Sequence, residues 1–273
     1  MNRPAVRLHE HEVTPVGLWA LRAGAPTVAV VVSLNFPGLT PRHRDLVRRY
    51  TRTALQALVD AGTRPVLVDS SAAALPDPAV AAAADGLLVL GGGDVDPALH
   101  GAEGPVPGQY GVDPRADRYT LELLTACLDR DAPLLALGRG AQLLNIACGG
   151  TLVPGLGPGH QGHPERAEAR EEEVVLEPGS RLAGLLGAGR ATVRSDHHQG
   201  LAVVGPELRV AAVAGDGTVE AVEHRHRTWV LGLQWHPEDA HGPCAHRRAL
   251  FGAFGAQLAA GRRPAAGKQL LAA

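Results

Sequence analysis

Short, unbroken runs of apolar and β-branched residues alternate with longer stretches of helical spacing through the first half of the chain. The run TVAVVVS at residues 27–33 is of the kind that a strand buried on both faces requires. Similar runs lie at residues 65–68, 86–90 and 133–137, and the helical stretches between them lie at residues 41–60, 79–84 and 117–128. Strands that alternate with helices in this way favour a mostly parallel sheet wrapped by helices, an α/β three-layer sandwich.

The second half of the chain predicts a smaller antiparallel β element. A loop rich in Gly, Pro and His, at residues 154–164, separates the two halves. Beyond it we expect strands at residues 171–177 and 228–234, a hairpin of residues 208–214 and 219–224 around Asp216 and Gly217, and helices at residues 179–186 and 246–259. With no repeat or linker in between, one domain is predicted over residues 27–260, with a flexible leader at 1–26 and a flexible tail at 261–273.

Composition excludes several classes of protein. At 273 residues, 45% hydrophobic and 20% charged, the chain is long and apolar enough for a core, and no apolar run reaches the roughly 18 residues of a spanning helix. A net charge of −2 with dispersed arginines argues against nucleic acid or membrane binding. The three cysteines, too few for a disulfide framework, fit packing roles in a reducing cytoplasm; they are Cys127, Cys148 and Cys244.

Two glycine-containing turns could position reacting groups. Gly91, Gly92 and Gly93 follow a buried strand, where their amides could point at an anion, although a plain tight turn is the alternative. The stretch at residues 133–145 has the shape of a nucleophile elbow, a buried strand that runs directly into a helix, but its turn holds Gly138 where a nucleophile would stand. An ordinary strand-to-helix turn is the alternative there.

Two histidine clusters complete the candidate residues. His236 follows a predicted strand and is separated from Glu238 by a proline, an arrangement that suits a general base and the carboxylate that orients it, although a plain loop is the alternative. The second cluster is Ser195-Asp196-His197-His198-Gln199. No zinc-ligand spacing is present, and the sequence predicts neither a metal nor a cofactor.

Taken in order, these motifs resemble the class I glutamine amidotransferases, and more narrowly the gamma-glutamyl-gamma-aminobutyrate hydrolase family, peptidase C26. The motifs are GGGDVDP at residues 91–97, RGAQLLN at 139–145, GGTL at 149–152, HHQ at 197–199 and QWHPE at 234–238. The resemblance covers residues 27–238. It implies a flavodoxin-like three-layer fold and cleavage of gamma-glutamyl amide bonds through a Cys-His-Glu triad and a glutamyl thioester.

Roles for individual residues follow from the resemblance. His236 would be the base and Glu238 its orienter. Backbone amides of the glycine loop, including Gly92 and Gly93, and of Arg139 would stabilise the oxyanion. The glutamyl pocket would be lined by Gln142, Ser195, His197, His198 and Gln199.

The chain departs from the family's pattern at the centre of this site. Where the family has Ile-Cys-Arg-Gly, this sequence has Leu137-Gly138-Arg139-Gly140, so the sulfur is absent. Asp196 stands where the family tends to have a bulky apolar or aromatic residue, and it could repel a glutamyl carboxylate. Ala116 stands where an arginine often precedes the aspartate matched by Asp117.

Three hypotheses follow from the missing sulfur. The chain could be a catalytically impaired homologue that still binds a gamma-glutamyl or glutamine-like small molecule. Alternatively, it could hydrolyse a gamma-glutamyl amide with water activated by His236 or with a substitute nucleophile. In the third hypothesis it acts as a homodimer or as a subunit that docks on a partner protein.

Overall fold

Five parallel strands form the centre of an eleven-stranded sheet, and antiparallel strands extend it on one side. The computed structural model describes residues 6–101, 106, 108–156 and 169–261. The strands are β1 Thr27–Val32, β2 Arg64–Asp69, β3 Gly86–Val89, β4 Leu134–Leu137, β5 Leu152–Val153, β6 Arg170–Leu176, β7 Arg190–Ser195, β8 Gly200–Leu201, β9 Leu208–Ala214, β10 Val219–His224 and β11 Val230–Leu233. Their order is β2-β1-β3-β4-β11-β10-β9-β6-β7, with the pair β5 and β8 beside β10. Pairing is parallel from β2 to β11 and antiparallel from β11 to β7.

Helices cover both faces of the parallel strands. They are α1 Pro41–Asp60, α2 Pro78–Ala82, α3 Pro114–Asp129, α4 Arg139–Ala147, α5 Arg181–Leu186 and α6 Cys244–Gly261. The first three helices each begin with a proline, and the side chain of the preceding residue, Thr40, Asp77 or Asp113, accepts a hydrogen bond from a first-turn amide. None of the helices among the described residues is both long and apolar enough to cross a membrane.

Alternate residues of β1 show why its sequence is apolar throughout. Val28, Val30 and Val32 belong to the core on the side of α1, α5 and α6, whereas Ala29 and Val31 belong to the core on the side of α2, α3 and α4. All five are at most 2% exposed. The expectation of a mostly parallel sheet between two helical layers, with an antiparallel element, is confirmed, and the antiparallel strands continue the same sheet.

The expected leader needs correction over the residues that the structure describes. Leu8 and Val13 are 2% and 0% exposed within the core that also contains α1. The side chain of Asn35 accepts from the amide of Leu8 at 2.8 Å and donates to its carbonyl oxygen at 3.0 Å. The segment around Leu8 and Val13 therefore packs on the domain, because these side chains enter the core, whereas Trp19 further along is 91% exposed.

Other boundaries differ by small amounts. Gly261, expected to start the tail, is the last residue of α6, and residues 1–5 and 262–273 lie outside the described residues. Much of the predicted loop at 154–164 lies outside them too. Cys127 and Cys148 are buried as expected, but Cys244 is exposed because it stands at the start of α6.

Candidate functional site

The carboxyl ends of β3, β4 and β11 lie side by side, and the segments that follow them line one cleft. β3 is followed by the glycine loop, residues 91–93, β4 by Gly138, and β11 by the segment that carries His236. The strands are parallel neighbours in that order, so their ends meet at one edge of the sheet. Ligands of open α/β sheets bind in crevices outside such strand ends. The fold thus brings together three motifs that stand far apart in the sequence.

Gly138 forms a sharp turn between β4 and α4. Its φ of 55° and ψ of −119° are accessible to glycine, whereas they strain a residue that has a Cβ. Its amide donates to the carbonyl oxygen of Leu233 at 2.8 Å, which ties the turn to β11. A Cβ built at Gly138 would lie 2.8 Å from Cε1 of His236 and 3.5 Å from Nε2. The turn has the shape of a nucleophile elbow, and a side chain at position 138 would point at the imidazole of His236.

His236 and Glu238 form a buried hydrogen-bonded pair beside Gly138. Nδ1 of His236 lies 2.8 Å from Oε1 of Glu238, and the two side chains are 9% and 1% exposed. Because a carboxylate oxygen only accepts, Nδ1 carries the donated proton, and Nε2 remains on the side of Gly138. Burial lowers the pKa of His236, but the charge of Glu238 and the hydrogen bond to it outweigh burial, so this pKa lies above its ordinary value. This arrangement is that of a base with its orienting carboxylate.

Two positions of the loop after β3, Gly92 and Gly93, leave little room for a side chain. A Cβ on Gly93 would lie 2.1 Å from the carbonyl oxygen of Gly111, and a Cβ on Gly92 would lie 3.0 Å from Cβ of Ser33. Within the described part of the chain, the amides of Gly91, Gly92 and Gly93 have no hydrogen-bond acceptor, and the three residues line the cleft. These amides are therefore available to an anionic or carbonyl oxygen there.

Arg139 joins the first turn of α4 to the buried side chain of Asp117. As the first residue of its helix, Arg139 has an amide with no carbonyl of a preceding turn to bond, the position expected of an oxyanion donor. Its guanidinium forms an ion pair with Asp117, and the side chains are 7% and 0% exposed. The other oxygen of Asp117 accepts from the amide of Asp96 at 2.8 Å. Asp117 therefore holds the start of α4 and the end of the glycine-rich segment in one arrangement.

A buried network of amide side chains forms another wall of the cleft. Nε2 of Gln142 donates to the carbonyl oxygen of Gln199 at 3.1 Å and to Oε1 of Gln234 at 3.2 Å. Oε1 of Gln199 accepts from the amide of Val95 at 3.0 Å, next to the glycine loop. Gln142 and Gln199 thus lie on the cleft, as the resemblance implies, and are held there by partners from three segments.

His197 and His198 both line the cleft and face carboxylates. Nε2 of His198 lies 3.0 Å from Oδ2 of Asp94, and this hydrogen bond is the main cause that raises the pKa of His198. Nε2 of His197 lies 3.2 Å from Oε1 of Glu220. Both imidazoles therefore have an acidic partner at the site.

Ser195 lies in a different place from the one expected. Its side chain is fully buried and does not line the cleft. Side chains alternate along β7, and Ser195 points inward with Ala191 and Val193, so the cleft begins at the next residue, Asp196.

Sequence reasoning missed several residues of the cleft. Tyr50 of α1 packs on His236 with ring centroids 4.7 Å apart, and Tyr110 packs near His198 at 5.6 Å. In the sequence, Tyr50 lies within the predicted helical stretch at residues 41–60 with the spacing of an apolar face, which carries no signal of a site. Asp94 directly follows the glycine loop, and that position was the one available signal.

Two groups of potential metal ligands occur among the described residues. Cys148, Glu207 and His224 form one, and the other is Glu172, His197 and Glu220. Nδ1 of His224 accepts from the amides of His226 and Arg227, so in the neutral ring Nε2 carries the proton and is a poor ligand. Nδ1 of His197 faces the carbonyl oxygen of Gln199 at 3.0 Å, which leaves its Nε2 toward Glu220. The second group therefore has the more suitable tautomer, although its histidine is already paired with a carboxylate.

Comparison with protein families gives a match to most of the chain. The family model described as Peptidase C26 matches residues 26–238. The gamma-glutamyl-gamma-aminobutyrate hydrolase PuuD of Escherichia coli K12 is 35% identical over 219 residues, which cover 73% of this chain and 82% of that protein. A Mycobacterium tuberculosis protein, provisionally named a glutamine amidotransferase, is 42% identical over 155 residues; this match covers 56% of the chain but spans only half, 50%, of that relative's length.

Solved structures with low sequence identity share the fold. The glutaminase domain of Trypanosoma brucei CTPS with bound acivicin gives a TM-score of 0.57 at 15% identity, covering 88% of this chain and 96% of that one. A glutamine amidotransferase of Thermotoga maritima gives a TM-score of 0.51 at 13% identity, covering 87% and 86%. At these identities the likeness concerns the fold alone.

Proposed function

Because the chain belongs to the peptidase C26 family, we propose that its cleft binds a gamma-glutamyl amide or a glutamine-like small molecule without forming a thioester with it. The observation that supports the proposal is the geometry of the turn at Gly138, which has the shape of a nucleophile elbow. Gly138 has the backbone angles of a nucleophile position, it offers no nucleophilic atom, and the imidazole of His236 stands where its side chain would point. Relatives named as gamma-glutamyl-gamma-aminobutyrate hydrolases support the ligand class.

Ligand binding is supported by groups that do not depend on a nucleophile. The amides of the glycine loop and of Arg139 can donate hydrogen bonds to the carbonyl oxygen of a gamma-glutamyl amide, as the donors of an oxyanion hole do. Gln142 and Gln199 form a polar wall that is held rigidly by buried partners. A preorganised site of this kind loses little entropy on binding.

No described cysteine replaces the missing thiol. Cys148 is buried at the other end of α4, and burial raises the pKa of its thiol to about 11, so it is protonated at neutral pH. Cys127 lies on the buried face of α3, where burial raises the pKa of its thiol to about 12. Cys244 begins α6 and does not line the cleft.

A glutamine-directed electrophile tests the covalent part of the proposal. Incubation with a diazoketone analogue of glutamine, followed by intact-mass measurement, should leave the protein unmodified. The variant Gly138→Cys should gain one adduct, and Gly138→Ala, which adds the same Cβ without sulfur, should gain none. Stoichiometric labelling of the parent protein at a residue of the cleft would contradict the proposal.

A second function is favoured by the intact pair of His236 and Glu238. This pair can activate a water molecule for hydrolysis of a gamma-glutamyl amide. Since the raised pKa of His236 reduces the share of neutral imidazole at neutral pH, such hydrolysis should increase with pH. It would be established by glutamate release at an ordinary enzymatic rate that is lost in His236→Ala.

A further inference from the structure

One face of α1 supplies an apolar wall to the cleft. Leu46, Val47 and Tyr50 are spaced so that they share a side of the helix, and all three line the cleft. Val32, the last residue of β1, and Leu90, which follows β3, line it as well. These two are each 2% exposed and belong to the hydrophobic core on which Val47 packs. The apolar wall is therefore continuous with that core and fixed by it.

Leu46 and Tyr50 are the members of this wall that the core does not absorb. Leu46 is half-buried and, among the described residues, is packed into neither hydrophobic core. The Tyr50 ring packs on the imidazole of His236 with centroids 4.7 Å apart, and burial raises the pKa of its phenol, so the ring stays neutral at physiological pH. The wall thus reaches the imidazole without adding a charge, and it retains apolar surface that a ligand can cover.

The three substituents of an amide carbonyl carbon divide the cleft between them. In the proposed function, the oxygen lies on the amides of the glycine loop and of Arg139, and the glutamyl head lies on the wall of Gln142 and Gln199. The third substituent is the amide nitrogen with its tail, the part of the ligand bonded to that nitrogen. The nitrogen faces His236, and the α1 wall is the part of the lining that adjoins this imidazole through Tyr50. The tail therefore lies along the α1 wall.

The cleft offers little to a tail that ends in a carboxylate. Each basic side chain among the described lining residues already contacts a carboxylate that is at most 5% exposed. A ligand carboxylate would compete with these buried partners. The pairs are Arg139 with Asp117, His197 with Glu220, His198 with Asp94, and His236 with Glu238.

We propose that the ligand's tail is apolar and that the α1 wall, through Leu46, selects for it. The ligand class would be the gamma-glutamyl amides of alkyl or aromatic amines. This inference rests on the proposed function, because it assumes that the cleft holds a gamma-glutamyl head. Apolar lining with a few polar groups that fix the orientation is the usual composition of a small-molecule site.

Four probes with the same head separate tail length from tail charge. They are the gamma-glutamyl amides of methylamine, butylamine, 4-aminobutyrate and 1,4-diaminobutane. In calorimetric titration of the full chain, the butylamide should bind at least about tenfold more tightly than the methylamide, since each fully buried methylene is worth roughly fourfold in affinity. The two amides with charged tails should bind at least about tenfold more weakly than the butylamide, because a charged end loses hydration against an apolar wall.

Leu46→Ala tests the assignment to α1. Since Leu46 is packed into neither core, the variant should fold, and it should reduce the ratio of butylamide to methylamide affinity to about threefold. Val80→Ala is the matched control. It shortens a 43% exposed apolar side chain on α2 that does not line the cleft, and it should leave the ratio as it is in the parent.

The outcomes distinguish this inference from the proposed function. If none of the four amides binds, the proposed function fails. If the methylamide binds as tightly as the butylamide, or a charged tail binds more tightly than the butylamide, the proposed function stands and the preference for an apolar tail is wrong. If Leu46→Ala, folded by circular dichroism, retains the full ratio, the assignment to the α1 wall is overturned.

Discussion

The two sides of the cleft, one around His236 and the other at the turn of Gly138, differ in the functional groups that they supply. On one side, His236 is hydrogen-bonded to Glu238, and the glycine loop, whose amides have no acceptor among the described residues, lines the cleft. On the other side, Gly138 contributes a sharp turn and no side chain. The groups proposed to bind a ligand are thus present without the group that would attack it. In the proposed function, ligand binding and covalent chemistry would use separate parts of this fold.

The largest effect on the rate of hydrolysis is expected from supplying the missing sulfur atom at position 138. Gly138→Cys should release glutamate from a gamma-glutamyl amide roughly 10³-fold faster than the parent, since one member of a catalytic unit is worth several orders of magnitude in rate. A coupled glutamate assay measures the gain. Gly138→Ala is the control, because it carries the same Cβ contact with His236 and the same backbone strain of about 1–3 kcal/mol without a thiol. Equal rates for the two variants would show that the thiol is not responsible.

Removing the support of α4 should cost the most stability. Asp117→Ala leaves Arg139 as an unpaired buried cation, which should lower the free energy of unfolding by about 3–5 kcal/mol in urea denaturation. Asp117→Ala and Arg139→Ala remove the same ion pair. The double variant should therefore lose little more free energy of unfolding than either single variant. Additive losses in this double-mutant cycle would show that the two side chains are not coupled.

Crowding in the glycine loop predicts a difference between neighbouring positions. Gly93→Ala places a Cβ 2.1 Å from the carbonyl oxygen of Gly111, so the loop must shift at a cost of about 1–3 kcal/mol, and ligand binding should weaken. At Gly91 a Cβ meets nothing within 4 Å, and Gly91→Ala should be tolerated. Thermal unfolding and calorimetry check both variants, and equal behaviour would contradict the crowding argument.

How much could be read from the sequence depends on whether a signal is local. The continuous apolar runs of β1 and β4 identify strands buried on both faces, and the turn at Gly138 follows directly from the strand and helix around it. β7 was missed because it is short and its alternating pattern depends on only two apolar residues, Ala191 and Val193. The same alternation buries Ser195 and removes it from the cleft.

Contacts between distant segments had no local signal. Leu8 and Val13 looked like parts of a loose leader, because nothing near them shows that α1 and the sheet complete their environment. Likewise, Tyr50 has the spacing of a core residue, and only the packing of α1 brings it against His236. Such residues become visible only when the chain is folded.

The smallest predicted effect concerns the pairing of His198 with Asp94. The hydrogen bond raises the pKa of His198 in the folded state, so its stabilisation is fully present below the unfolded value near 6.5 and is lost as the pH rises through the folded value. His198→Gln should therefore destabilise the protein by about 1 kcal/mol more at pH 6 than at pH 9. His241→Gln, at an exposed position, is the control for urea denaturation at the two pH values. A loss that does not vary with pH would contradict this assignment.

Calorimetric titration with a gamma-glutamyl amide, followed by analysis of the same sample, tests the central claim most directly. We predict saturable binding with one ligand per chain, recovery of the ligand intact, and no change in the mass of the protein. Glutamate release at an ordinary enzymatic rate, a glutamyl adduct on the protein, or no binding at millimolar ligand would contradict the account.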